Sequence, residues 1–229
     1  MSAPETGERL TGRAVSRPAR RASQVTRMLA WAGVDGLRLE GTRAVLGERS
    51  IRANGSLVSA QQDNSAQQDN SAQQDNSADV YSASYSLATD ETGVVQRLTV
   101  RTIRAQGEQY VSLTRSEEGI WLVDRVGQGA GTVRTNFGGA LDVDLAFSPL
   151  FNALPVRRLG LHRAAGQYDL PVVFVSLPGL EVSCVRQTYR TMAVGEPTVV
   201  SFAWDLFEAE LTVDADGLVL EYPGVARRA

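Results

Sequence analysis

Asp142 and Asp144 in LDVDLAF stand two residues apart, a spacing that sends both carboxylates to one face of a strand. Such a pair can do acid–base work or hold a cation, although sites for hard cations usually recruit more oxygens. The structural alternative is two solvated carboxylates on an outer face, or two partners for arginine. Arg157 and Arg158 in LPVRRLGL supply candidates. In a strand, neighbours face opposite ways, so one of the two guanidinium groups must turn inward. An inward Arg needs a partner to offset its desolvation, and Asp142 or Asp144 is a sensible one. Otherwise its planar fork grips the anionic or hydroxylated head of a bound lipid.

Other reactive groups are scarce. His162, the single histidine, sits in LGLHRAAG at the end of an apolar strand and reads as an exposed turn residue. A nucleophilic triad would add a Ser or Cys and an orienting acid, and no G-x-S-x-G elbow is present. Cys184, between Ser183 and Val185, reads as a small core residue; nothing local supports a Cys184–His162 pair. One cysteine excludes an internal disulfide and a thiolate zinc site, which fits a reducing compartment. GQGAGTVRTNFGG (127–139) lacks the Lys and the strand–loop–helix setting of a phosphate loop, so it is expected to be a flexible β connection. No motif implies a metal or a cofactor.

The elements that must position these groups read as strands. Tyr81, Ala83, Tyr85 and Leu87 alternate with serines. RLTVRTIR repeats the pattern with Ile103 one step out of phase. Residues 110–114 and 120–125 flank SEEG as a hairpin, and DADG joins 209–213 to 217–222. Leu141, Val143, Leu145 and Phe147 alternate with the two aspartates. Residues 172–177, 180–190 and 199–207 complete about twelve strands by this pattern. Only 148–153 looks helical, one turn with Ser148 as N-cap and Pro149 at the first position. The expected fold is all-β: a many-stranded antiparallel sheet curled into a barrel or half-barrel, with at most one or two short helices. A barrel of more than eight strands leaves a lumen that side chains alone need not fill.

Composition sets the frame for this domain. The 229 residues are 43% hydrophobic and 21% charged, enough apolar surface for one core over residues 28–229. The net charge of −3 argues against a general nucleic-acid binder. All 23 basic residues are Arg, which codon bias in a GC-rich bacterium explains better than 23 separate needs for a guanidinium. Residues 1–27 carry six Arg and little apolar bulk, so a disordered basic tail is expected there. Its alternatives are a tether to anionic surfaces or a leader upstream of a start at Met28. Residues 61–78 are three identical QQDNSA copies with no apolar face to stack, expected as a disordered loop between strands. No run of 18 apolar residues exists, and the apolar stretch after Arg27 is too short for an export signal, so a cytoplasmic location is expected.

At DVDLAFSPLFNALPVRRLGL (142–161) the chain resembles a bacterial family of unknown function described as "putative glycolipid-binding", and VRQTYR (185–190) and ELTVDADGLVLEYPGV (210–225) agree with it. The resemblance spans roughly residues 28–229 without the QQDNSA insertion. It implies a large β structure similar to bacterial carriers of lipoproteins and glycolipids. The motif positions it carries over are Asp142, Asp144, Asn152, Arg157, Arg158, Tyr189 and Tyr222, lining a cavity or locking the fold. The implied partner is a lipid or glycolipid. Two readings compete with this non-enzymatic binder. One is an enzyme for an apolar substrate using Asp, Arg and Tyr as acid–base groups, which needs two of them to converge at one pocket floor. The other is an interaction module with a filled centre. A space walled by Leu, Val, Phe and Trp with one Arg at its mouth favours an amphiphile.

Overall fold

The computed structural model describes residues 24–60, 80–126 and 131–229. The basic segment up to residue 23, the QQDNSA copies and part of the glycine-rich run lie outside the described residues. Fifteen strands form one sheet. Along the chain they are β1 (Val25–Gly33), β2 (Arg38–Leu46), β3 (Ile51–Ser59), β4 (Tyr81–Thr89), β5 (Val95–Arg104), β6 (Gly107–Arg115), β7 (Trp121–Val126) and β8 (Gly131–Thr135). After a short 3-10 turn come β9 (Asp142–Leu145), helix α1 (Pro149–Leu159), β10 (Gln167–Val175), β11 (Val182–Ala193), β12 (Thr198–Trp204), β13 (Phe207–Val213), β14 (Val219–Tyr222) and β15 (Ala226–Arg228). β1 starts at Val25, inside the segment expected as basic tail, and pairs there with Leu46.

Two antiparallel meanders make up the sheet. One runs from β1 outward to β8, the other from β15 outward to β10, and β1 pairs β15 where they meet. β9 completes the order by pairing β10 in parallel, so the sheet is mixed where a purely antiparallel one was expected. A parallel pair needs a crossover, and α1 is that crossover.

Period-two burial drives the curl. In β3 every second residue is buried, from Ile51 through Ala53, Gly55 and Leu57 to Ser59, and β4 buries Tyr81, Ala83, Tyr85 and Leu87 as its spacing predicts. In β5 Thr102 takes the inward place and Ile103 faces out, which is the phase slip seen in RLTVRTIR. The inward faces of β1 to β7 share one core with β9, α1 and β10, including Trp31, Leu57, Trp121 and Val173. Strands so far apart in the sheet meet in one core only because the sheet bends around it. Edge strand β9 is drawn back toward β5, where Val95 N–H donates to Leu141 O at 3.0 Å. The edges β8 and β9 do not pair, so the curl is a half-barrel.

α1 fills the concave side. All residues from Pro149 through Arg157 are buried, some against Tyr85 (Phe151 ring at 5.2 Å) and others, such as Val156, against a second cluster with Tyr189, Phe202 and Leu211. The helix and β9 thus occupy part of the space expected as a lumen. The helix also runs on to Leu159, six residues beyond the single turn expected, with Gly160 closing it in the left-handed region at φ 71°. Arg157 and Arg158 therefore lie in its last turn and not in a strand, where two cations suit the carbonyl end of the helix dipole. Among the described residues no helix is long and apolar enough to cross a membrane.

Candidate functional site

Both aspartates are buried, Asp142 at 1% and Asp144 at 9% exposure, which overturns the solvated outer face as their setting. β9 is covered on both sides, so its alternation does not separate inside from outside. Asp142 is held by Arg158 through a fork, Nε to Oδ1 at 3.1 Å and Nη2 to Oδ2 at 2.5 Å. Arg157 is buried as well, at 3% exposure. It donates to the backbone oxygens of Asp216, Gly47 (2.6 Å) and Glu48 (3.3 Å), bracing α1 against two turns instead of meeting a carboxylate. Arg157 and Arg158 are thus absorbed by the fold, and neither lines the cavity described next.

That cavity, of about 400 Å3, opens at the start of α1. β9 contributes Asp144 and Leu145, the connection to α1 contributes Ala146, Phe147 and Ser148, and α1 itself Asn152. Phe174 of β10, Trp204 of β12, Phe207 of β13, Tyr222 of β14 and the nearby Val225 complete the wall. The rings pack as a lining: Phe174 and Trp204 have centroids 4.6 Å apart, Phe207 and Tyr222 6.0 Å. Phe147 and Phe207, 39% and 41% exposed, mark the mouth. Phe147 adopts φ 66°, a strained backbone for an aromatic residue. The Arg38 guanidinium sits 4.6 Å above its ring and donates Nη2 to Val225 O at 2.7 Å.

Two hydrogen-bond chains anchor the polar end. In the first, Gln187 Nε2 donates to Asp144 Oδ2 at 2.6 Å, Tyr189 OH donates to Gln187 Oε1 at 3.1 Å, and Asn152 Nδ2 donates to Tyr189 at 3.0 Å. Gln187 and Tyr189 alternate on the inner face of β11 and so reach both partners. In the second, Glu40 Oε1 accepts from Tyr85 (2.5 Å), Ser148 (2.7 Å) and Thr42 (3.2 Å), while its Oε2 is buried without a partner. Gly55, facing Tyr85 on β4, makes this possible, since a Cβ there would fall on the Tyr85 ring. Ser148 is the N-cap by position, but its side chain serves Glu40 and caps nothing.

Burial governs the ionisation here. It pushes the Asp144 carboxyl up to about 7, with the Gln187 hydrogen bond pulling the other way. Burial also raises Glu40, and it raises the Tyr189 and Tyr222 hydroxyls, with the charge of Asp144 adding to both. A carboxyl raised in the folded state contributes most to stability below about pH 4, and that contribution fades as pH climbs to about 7. Asp144→Asn is neutral throughout and should lose this slope. Between pH 5 and pH 8 its fall in stability should be smaller than that of the parent by about 2–3 kcal/mol, or about 5–10 °C in melting temperature. Thermal melts of both proteins at the two pH values measure it; identical slopes would contradict it.

The seven residues singled out from sequence divide unevenly. Asp144, Asn152 and Tyr222 line the cavity, Tyr189 backs it through hydrogen bonds, and Asp142, Arg157 and Arg158 lie outside it. Sequence reasoning missed Glu40, Arg38 and the ring wall. His162 is buried and not exposed, with Nδ1 3.3 Å from Val156 O, and burial, with the nearby Arg163 and Arg157, lowers its proton affinity. Cys184, expected in the core, is exposed on β11 and meets Phe137 O at 3.2 Å. Each is thus engaged apart from the other. Residues 131–135 of the glycine-rich run form β8 and 137–139 the 3-10 turn. No group of three or more potential metal ligands occurs among the described residues.

A family described as "putative glycolipid-binding" matches residues 28–228. The crystal structure of a DUF1089 family protein from Pseudomonas aeruginosa superposes with a TM-score of 0.59 at 21% identity, covering 97% of this chain and 100% of that one. At that identity the likeness is one of fold. No curated protein matches the sequence. The family match takes in every strand from β2 to β14, both hydrogen-bond chains and all eleven residues of the cavity wall, and on it the chain belongs to the "putative glycolipid-binding" family.

Proposed function

We propose that the protein binds one amphiphile, a lipid or glycolipid, in the cavity at the start of α1, with the apolar tail against the rings and the head at Asp144, Asn152 and Tyr222. The observation that carries this reading is the composition of the wall: seven apolar residues and four polar ones, three of these on β9 and the start of α1. The volume of about 400 Å3 falls within the range of small-ligand sites, roughly 300–1,000 Å3, and speaks against a module with a filled interior. Burying a tail contributes about 0.8 kcal/mol per methylene. The family description agrees with such a ligand. Native mass spectrometry of the purified full chain, followed by solvent extraction, tests it. Co-purifying lipid, or an added mass on exposure to lipids and glycolipids, is expected. Bare protein under every condition refutes the reading.

A second reading has one observation in its favour: a carboxyl at about 7, beside a Tyr hydroxyl in an apolar cavity, is equipped for proton transfer. It requires chemical change of the bound molecule. Recovering the added amphiphile intact after long incubation excludes it.

A further inference from the structure

We infer that the polar end of the cavity selects an amphiphile whose head is uncharged and rich in hydroxyl donors, and turns away the carboxylate or phosphate head on the same tail. This rests on the amphiphile-binding reading and narrows it to one class of head.

The argument is a count of what the polar atoms still offer. Asp144 uses Oδ2 for Gln187, and no donor among the described residues meets its Oδ1. Asn152 spends one amide N–H on Tyr189, leaving its carbonyl oxygen and its second N–H. Ser148 spends its proton on Glu40, leaving a lone pair. With Asp144 ionised, acceptors outnumber donors in this set: among the described residues the side-chain donors left are the Tyr222 hydroxyl and the second Asn152 N–H. A ligand hydroxyl donates to such a set and can accept from Tyr222 in return. A carboxylate or phosphate brings only more acceptors, and it leaves the wall's oxygens unanswered in a desolvated space.

Charge agrees with the count. Among the described residues no cation lines the cavity. Arg158 is forked to Asp142, Arg157 is bound by three backbone oxygens, and Arg38 is engaged by the Phe147 ring and Val225 O. The start of α1 would ordinarily attract an anion. Here Pro149 has no N–H to give, Phe151 N–H is tied to Ser148 O, and the carboxyls of Asp144 and Glu40 already stand at that end. An incoming anion would meet one carboxyl directly and a second one residue behind it.

Three probes sharing an eight-carbon tail test this on the full chain: octyl β-glucoside, octanoate and octyl phosphate, titrated calorimetrically at pH 7.5 below micelle formation. The glucoside is expected to bind at least tenfold more tightly than either anion. In Tyr222→Phe, which keeps the ring and removes the donor, the glucoside is expected to weaken by threefold or more with the melting temperature retained. An anion binding as tightly as the glucoside overturns the head-group inference while amphiphile binding stands. If none of the three binds, both fall.

Discussion

Replacing Arg158 with Met should destabilise the protein by about 3–5 kcal/mol, the usual cost of stripping one partner from a buried ion pair. Asp142 is 1% exposed on a strand covered on both faces, and its carboxylate takes two hydrogen bonds from Arg158 and no other among the described residues. Burial raises its carboxyl above the ordinary value, and only Arg158 opposes that. Without the guanidinium, Asp142 must stay ionised and unpaired or take up a proton, and either choice is costly. The double variant Asp142→Asn/Arg158→Met should recover at least half of the loss, since a neutral amide has less to forfeit. Urea denaturation of the parent, both single variants and the double variant measures the coupling. A loss below about 1 kcal/mol in Arg158→Met would show that the pair is not what fixes α1 to β9.

Ala146→Trp should abolish amphiphile binding, weakening it by tenfold or more, while leaving the sheet intact. Ala146 lies in the cavity wall next to Phe147, and its backbone N–H bonds to Val175 O at 3.0 Å, which the change leaves alone. An indole there takes the space a tail would fill. Overpacking of this kind costs about 1–3 kcal/mol, because the new ring must displace some of its neighbours. Ala146→Leu, with less bulk, should weaken binding less and hold its melting temperature more closely. Calorimetric titration with octyl β-glucoside, paired with a thermal melt of each variant, separates a blocked cavity from a lost fold. Full affinity in a folded Ala146→Trp protein would move the binding site elsewhere.

The hairpins were readable because their residues answer to local rules. Tyr81 to Leu87 alternates, SEEG turns, and in DADG the Asp214 side chain accepts from the N–H groups of Asp216 and Leu218 as such turns require. α1 was hidden for the opposite reason. A helix buried on nearly all sides shows no amphipathic stripe, and Pro155 inside it reads as a stop. β9 misled in the same way, since a strand packed on both faces can bury Asp and Val alike if each Asp finds its partner. The cavity was least legible. Its rings come from strands distant in sequence, and Trp204 and Phe207 read as one run until Asp205, at φ 54°, turns the chain between them. Arg38, Glu40 and Thr42 share the inward phase of β2, but nothing in RLEGTRAVL distinguishes that phase from the other.

The joint between the two meanders has a kinetic side. β1 and β15 pair in register over three residues, from Trp31 opposite Arg228 to Gly33 opposite Ala226, flanked by the backbone bonds Val34 N–H to Val225 O and Ala229 N–H to Ala30 O, and these strands stand nearly the whole sequence apart. Each wing can assemble by zipping neighbouring hairpins, where loop closure is cheap, but the wings become a single surface only after a very long loop is closed. The seam is thus the natural last step of assembly. Opening it would also divide the core that β1 to β7 share with β9, α1 and β10, so parting the wings and losing that core are one event.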